Sequence, residues 1–244
     1  MVHERNIVIL TGAGISRESG LETFRDPEGI WSKESLEDVA TPEGFATDPD
    51  RVHAFYNARR RQMLSLDIQT NAAHRALAHL EAAWPGNFLL VTQNIDDLHE
   101  RGGSRQVIHM HGELLKARCS RCRAVFEFRG DMGRDTPCEF CGEAGWTRPQ
   151  VVWFGEVPFE LDRIFDAVAD CDLFVAIGTS GQVQPASGLV SEASRNGAQT
   201  VELNLEETAG SALFDRHATG PATEVVPEFV DQILKSARGK WVDQ

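Results

Sequence analysis

NIVILTGAGIS, residues 6–16, sets a run of apolar, mostly β-branched residues directly against a glycine-containing turn. The run does not alternate apolar with polar residues, as a strand with one wet face would. It reads as a strand buried on both faces. Three further runs have the same form: FLLV (88–91) before TQNID, LFVAI (173–177) before GTSG, and TVELN (200–204) before LEE. Helix-like segments such as AAHRALAHLEAA (72–83) and ELDRIFDAVAD (160–170) lie between them. Buried strands alternating with helices predict an α/β, Rossmann-like doubly wound parallel sheet, with ligands outside the carboxyl ends of its strands.

The pattern breaks twice. Residues 26–79 look helical, and residues 112–149 are rich in Cys, Gly and Arg. Both read as insertions that form a smaller lobe, one helical and one zinc-binding. Segments 1–25, 80–111 and 150–244 remain for the sheet-bearing lobe of one domain. At 244 residues the chain can bury a sizeable core, and its 41% hydrophobic and 25% charged residues are ordinary for a globular protein. Its net charge of −13 argues against nucleic acid as a partner and weakly favours a basic one. The apolar run near the N-terminus is too short for a signal-peptide core or a membrane span, and no other stretch reaches membrane length. A cytoplasmic location is expected, in which paired cysteines suggest metal rather than disulfides.

Four groups of residues suggest chemistry. In GAGISRESG, Gly12 and Gly14 would let a backbone approach a pyrophosphate, yet Arg17 stands where a dinucleotide fingerprint has its third glycine. The same glycines also suit a plain tight turn. In TQNIDDLH, Gln93, Asn94 and Asp96 could grip a carboxamide or a ribose, or the aspartates could merely cap a helix. GTSG and Asn204 occupy the equivalent ends of two more strands. Cys119, Cys122, Cys138 and Cys141 have the spacing of a four-thiolate zinc site, which leaves no open coordination position and so predicts a structural metal. Disulfides or an iron–sulfur cluster are the alternatives. Cys171 reads as a core thiol. In IHMHGELLK, His109 and His111 point the same way on an extended chain, and the pattern does not say which could be a general base. His53, His74, His79 and His99 fall in helix-like segments, as surface or packing residues.

FYNARRRQM (55–63) raises a different question. At helical spacing Val52, Phe55, Arg59, Met63 and Leu66 share one face, with Arg60 and Arg61 pointing away. A permanent cation, one turn beyond Tyr56, thus lies in an apolar stripe.

Taken in order, GAGISRESGLETFR, TQNIDDLHERGG, HMHG, the paired CxxC motifs, VVWFGE and GTSGQVQPA resemble the sirtuin family. The resemblance runs from about residue 6 to residue 233. It implies NAD-dependent removal of acyl groups from protein lysines, with NAD consumed as a co-substrate and one structural zinc. It implies that Gly12, Ala13, Gly14, Phe24 and Arg25 belong to the loop over NAD. Gln93, Asn94, Ile95 and Asp96 would surround its ribose and nicotinamide, with Gly178, Thr179, Ser180, Asn204 and Ala222 along the rest of the dinucleotide. His111 becomes the base, with Asn94 and Asp96 beside it. Val152, Phe154, Gly155, Glu156 and Val183 would clamp a substrate peptide as an added strand. In this family a Tyr-x-x-Arg pair marks a branch that prefers acidic acyl groups such as succinyl, and Tyr56 and Arg59 match it. A dehydrogenase with structural zinc, a mono-ADP-ribosyltransferase and a non-catalytic zinc-ribbon module are the other classes open.

Overall fold

The computed structural model describes residues 5–21 and 35–238. Strand β1 (Ile7–Thr11) is buried at every position, and its side chains divide by parity, as a pleat requires. Ile7 and Ile9 enter one core with Leu77, Leu80, Val226 and Val230. Val8 and Leu10 enter another with Ile164, Val168, Leu189 and Ala193. Both faces are covered, which is why the run could not alternate with polar residues. Each such aliphatic side chain contributes roughly 1.5–3 kcal/mol on burial.

The other strands are β2 (Phe88–Thr92), β3 (Val107–His109), β4 (Gly112–Cys119), β5 (Val125–Glu127), β6 (Thr147–Val151), β7 (Leu173–Ile177), β8 (Gln199–Asn204) and β9 (Arg216–Thr219). The described α-helices are α1 (Leu36–Val39), α2 (Pro42–Thr47), α3 (Pro49–Met63), α4 (Ala72–Ala83), α5 (Leu98–Gly102), α6 (Leu161–Ala169), α7 (Leu189–Arg195) and α8 (Ala222–Arg238). A six-stranded sheet runs β3-β2-β1-β7-β8-β9, and a three-stranded sheet runs β5-β4-β6. The first is parallel throughout and the second antiparallel, as the predicted α/β doubly wound class requires.

The strand order reverses between β1 and β7, where such sheets open a crevice at their carboxyl edge. Here the two strand ends touch. Gly14 N–H donates to Gly178 O at 2.9 Å, and a Cβ on Gly14 would lie 2.7 Å from Gly178 Cα. Gly178 itself has φ +60°. The close approach that a dinucleotide loop usually obtains from its third glycine comes here from the neighbouring strand, and Arg17 is left exposed.

Helix α4 corrects one boundary. The helical insertion expected over 26–79 takes in most of this helix, yet Ala73, Leu77 and Leu80 pack in the core beneath Ile7 and Ile9. Asn71 caps α4 by accepting from Ala73 N (2.9 Å), and His74 Nδ1 accepts in return from Asn71 N (3.3 Å). This is a capping box closed by an imidazole. The helix therefore belongs to the sheet layer from its first turn. The small lobe is built by α3 lying on β4 and β6, through Val52, Phe55, Tyr56 and Met63 against Leu114, Leu115, Val151 and Trp153.

The apolar stripe expected on α3 holds at Val52, Phe55 and Met63 and fails at both ends of the argument. The helix stops at Met63, so Leu66 lies outside it and is 89% exposed. Arg60, expected on the outer face, is 1% exposed. Its guanidinium donates to Leu114 O (3.1 Å), Asn57 Oδ1 (2.9 Å) and Gly130 O (3.2 Å), and lies 5.5 Å from the Phe128 ring centroid. Asn57 in turn donates to Met132 O and accepts from Met132 N. A second side of α3 is thus sealed against the zinc-module loop by backbone carbonyls, a partner that apolar periodicity cannot reveal. Burial pulls the Arg60 pKa down to about 10, against the charge of Asp131. Arg61 is exposed and pairs with Asp131 at 2.5 Å.

Arg60→Met is expected to lower stability by about 2 kcal/mol, because carbonyls left dry cost ~1–3 kcal/mol each while the relief of a buried charge offsets part. Thermal melting should drop by roughly 4–8 °C for a chain of this size. An unchanged melting point would show that water satisfies those carbonyls.

Candidate active site and metal centre

The residues after β2 form a buried polar cluster at the carboxyl edge of the large sheet. Asn94 and Asp96 are both buried, as is Ser16 on the 3₁₀ helix Ala13–Ser19. Ser16 Oγ donates to Asp96 Oδ2 (3.1 Å) and accepts from Asn94 Nδ2 (3.1 Å). His74 Nδ1 is occupied as an acceptor by Asn71 N, so its Nε2 carries the proton toward Ser16 Oγ at 3.5 Å. Behind it, His99 Nε2 lies 2.9 Å from Thr11 Oγ1, which donates to Thr92 Oγ1. Burial lowers the His74 pKa to about 4 and holds that of His99 well below the usual imidazole range. Both are neutral hydrogen-bonding groups. Burial also raises the Asp96 carboxyl, with the Leu98 N–H and Ser16 hydroxyl opposing it.

The two histidines that the sequence could not separate differ in their partners. His111 Nδ1 lies 3.1 Å from Gln93 O. A carbonyl only accepts, so Nδ1 holds the proton and Nε2 presents a lone pair. Burial lowers its pKa, and the Gln93 carbonyl offsets that only in part. His109 reaches Asn94 O with Nδ1 (3.2 Å) and Glu100 Oε1 with Nε2 (2.7 Å). Burial pushes the His109 imidazole down, but Glu100, the charge of Glu113 and the Asn94 carbonyl together hold it above its ordinary value. Both of its nitrogens donate, so it has no lone pair to offer. The chain after His111 turns at Gly112 (φ +84°), where a Cβ would lie 2.1 Å from Gln150 O.

The other expected positions gather along the same carboxyl edge. Gly12, Ala13 and Gly14 follow β1, and Gly178, Thr179 and Ser180 follow β7. Asn204 ends β8 and donates to Thr179 O at 2.7 Å, and Ala222 opens α8. Gln93 and Ile95 flank Asn94 and are half-buried. Phe24 and Arg25 lie outside the described residues. On the small-lobe side, Val152 N–H donates to His111 O and Phe154 N–H to Ala40 O, Gly155 has φ +88°, and Val183 is half-buried in the loop beyond β7. Glu156 is engaged by its own neighbours. Its carboxylate accepts from Arg148 (2.8 and 3.0 Å), Arg118 (2.6 Å) and Trp153 N–H (2.9 Å), so it holds the turn together.

Tyr56 is buried in α3 with its hydroxyl 3.0 Å from Trp153 Nε1. Arg59 is half-buried one turn on, its charge felt by the Tyr56 hydroxyl. Sequence reasoning passed over Ser16, Arg148 and Trp153. The one available signal for Trp153 was an indole, with a polar N–H, placed between two residues already assigned to the substrate strand.

In the zinc module, ligand atoms of Cys119, Cys122, Cys138 and Cys141 all lie within 4.8 Å of one another. The Sγ pairs are 3.9 Å (Cys119–Cys141) and 3.6 Å (Cys122–Cys138) apart. A tetrahedron with Zn–S near 2.3 Å sets thiolates roughly 3.8 Å apart, whereas a disulfide needs about 2.05 Å. The four thiols fit zinc and leave it no open position, so the metal supplies folding energy and no chemistry. Cys171 is a buried thiol within a core. Cys119→Ala is expected to lose the metal and lower the melting point. A variant with unchanged zinc content and melting point would contradict this assignment.

Among the described residues no helix is long and apolar enough to cross a membrane. An NAD-dependent protein deacylase of Salmonella typhimurium (strain LT2) is 54% identical over 235 residues, spanning 96% of this chain and 86% of that protein. One from Shewanella oneidensis is 56% identical over 230 residues, spanning 94% and 95%. The crystal structure of a Sir2 homolog–NAD complex superposes with a TM-score of 0.85 at 40% identity, covering 94% of this chain and 90% of that one. The Sir2 family model matches residues 12–185. By that match and these likenesses, the chain belongs to the Sir2 family.

Proposed function

We propose that this protein removes acyl groups from protein lysines with consumption of NAD, and that it prefers acyl groups ending in a carboxylate. NAD-dependent protein deacylases more than half identical to it support the reaction. The observation that carries the chemistry is the His111 tautomer. Its Nδ1–H is tied to Gln93 O, so Nε2 is left as the acceptor. In this reading Asn94 and Asp96, steadied by Ser16, hold the carboxamide of NAD so that nicotinamide can leave. The acyl oxygen attacks the anomeric carbon of the ribose, and His111 Nε2 takes a ribose hydroxyl proton. The deprotonated ribose oxygen attacks the acyl carbon, the lysine nitrogen leaves as the free amine, and one water adds to complete O-acyl-ADP-ribose. Gly12, Gly14 and Gly178 admit the dinucleotide close to the backbone, and the segment Val152–Gly155 with Val183 takes the peptide. The cytoplasmic location expected from the sequence belongs to the same reading.

The acyl preference rests on Tyr56 and Arg59, a hydroxyl and a cation adjoining an otherwise apolar cluster. One peptide carrying succinyl-lysine or acetyl-lysine, incubated with and without NAD and followed by mass spectrometry, tests both parts. Loss of either acyl group should require NAD and release one nicotinamide per lysine freed. The succinyl form should have the higher kcat/KM. ADP-ribosylated protein as the product would favour a transferase, and equal kcat/KM values would end the acidic-acyl reading.

A further inference from the structure

Trp153, two residues past β6, is 2% exposed, and its indole donates to the Tyr56 hydroxyl at 3.0 Å. The indole N–H is a donor only, so the phenol oxygen must accept. A phenol O–H lies in its ring plane with two favoured directions, and the indole hydrogen closes one of them. The phenol proton is left with the other. Burial raises the Tyr56 pKa, so the hydroxyl keeps that proton.

The indole is itself held from several sides. The Arg148 guanidinium lies 3.2 Å from its ring centroid, fixed by both Glu156 oxygens and by Val151 O (2.9 Å). Phe45 packs with its ring centroid 5.1 Å away. A chain of contacts, Glu156 to Arg148 to Trp153 to Tyr56, thus joins the turn after β6 to helix α3. Van der Waals packing alone would have been met by phenylalanine. The indole adds one directed hydrogen bond.

We infer that Trp153 is a positioning residue for acyl specificity: it orients the Tyr56 hydroxyl as a donor toward the terminal carboxylate of an acidic acyl-lysine, beside Arg59. This rests on the acidic-acyl reading above. A hydroxyl that already accepts a hydrogen bond is also polarised into a better donor. A neutral acyl group offers no such acceptor.

Trp153→Phe keeps an aromatic ring and deletes the N–H. The succinyl-to-acetyl ratio of kcat/KM should fall about 3–10-fold, the size of one neutral hydrogen bond, chiefly through KM for the succinyl peptide. In a Tyr56→Phe background the same change should move the ratio by less than about twofold, because the hydroxyl it orients is gone. Equal losses on both substrates, or additive effects of the two substitutions, would overturn the inference. A second measurement needs no variant at position 153. Among the five tryptophans, one indole N–H resonance should shift when succinyl peptide is added but not acetyl peptide, and should be displaced in Tyr56→Phe. No resonance that distinguishes the two peptides would also overturn it. If wild type shows no succinyl preference and Arg59→Met does not change the ratio, the underlying reading has failed. If both behave as expected and only the Trp153 results fail, the inference alone is wrong.

Discussion

His111→Ala is expected to lose on the order of 10²-fold or more in deacylation while still folding, the range of a positioned general base. The reason lies in which nitrogen holds the proton. Gln93 O fixes the hydrogen on Nδ1, leaving Nε2 as the acceptor that the proposed mechanism sets against a ribose hydroxyl. Burial lowers the imidazole pKa, so the neutral, competent form persists below the usual value near 6.5. The acid limb of kcat/KM should therefore lie under pH 6.5, with activity lost as pH falls through the folded pKa. His109→Ala should do much less harm to the chemistry. Its nitrogens donate to Asn94 O and Glu100, so it shapes the cluster but cannot accept a proton. Were His109→Ala the more damaging, the roles would be reversed and the base misassigned.

That distinction was not legible in HMHG, because both side chains point the same way and only their partners differ. Those partners, Gln93 O and Asn94 O, lie on a neighbouring loop that the topology alone brings near. The main sheet was more open to reading. β1, β2 and β7 are buried on both faces and each writes a continuous apolar run into the chain, whereas β8 buries Thr200 and Glu202 among its apolar residues. β3 and β9 left no such mark: one is three residues long and the other, Arg-His-Ala-Thr, is an exposed edge.

Glycines at the end of β1 also meet a need within the protein itself. Gly12 and Gly14 do serve a close backbone approach, but their counterpart is Gly178, about 160 residues on, and no local fingerprint could contain it. Helix α3 shows the limit most plainly. Periodicity placed Phe55 and Met63 correctly and Arg60 wrongly, since a guanidinium can be buried by carbonyls as well as an aliphatic chain can by a core. The Trp153–Tyr56 hydrogen bond spans 97 positions and could be seen only once helix α3 was packed against the segment after β6.

Arg59→Met is expected to lower the ratio of desuccinylation to deacetylation on one peptide by at least tenfold. A succinyl-lysine ends in a carboxylate that must leave water to enter the site, and burying it unpaired costs several kcal/mol. A guanidinium can meet it with two parallel hydrogen bonds, and the Tyr56 hydroxyl adds a third. Charge-assisted bonds contribute roughly 1.5–3 kcal/mol each, so the loss in kcat/KM for the succinyl substrate should reach about 10²-fold or more. An acetyl group has no charge to match, and a methionine there leaves an apolar wall that suits it. The expected mark is therefore a change of preference rather than a general loss. Tyr56→Phe should shift the ratio the same way but less, since it removes one neutral donor. Arg61→Met is the control, its cation being exposed and paired with Asp131. Arg60→Met is not a control, because that buried guanidinium holds the helix to the zinc module. If the ratio is unmoved in Arg59→Met, Arg59 serves the protein's own ion pairing, and the acyl carboxylate has to be recognised by another cation.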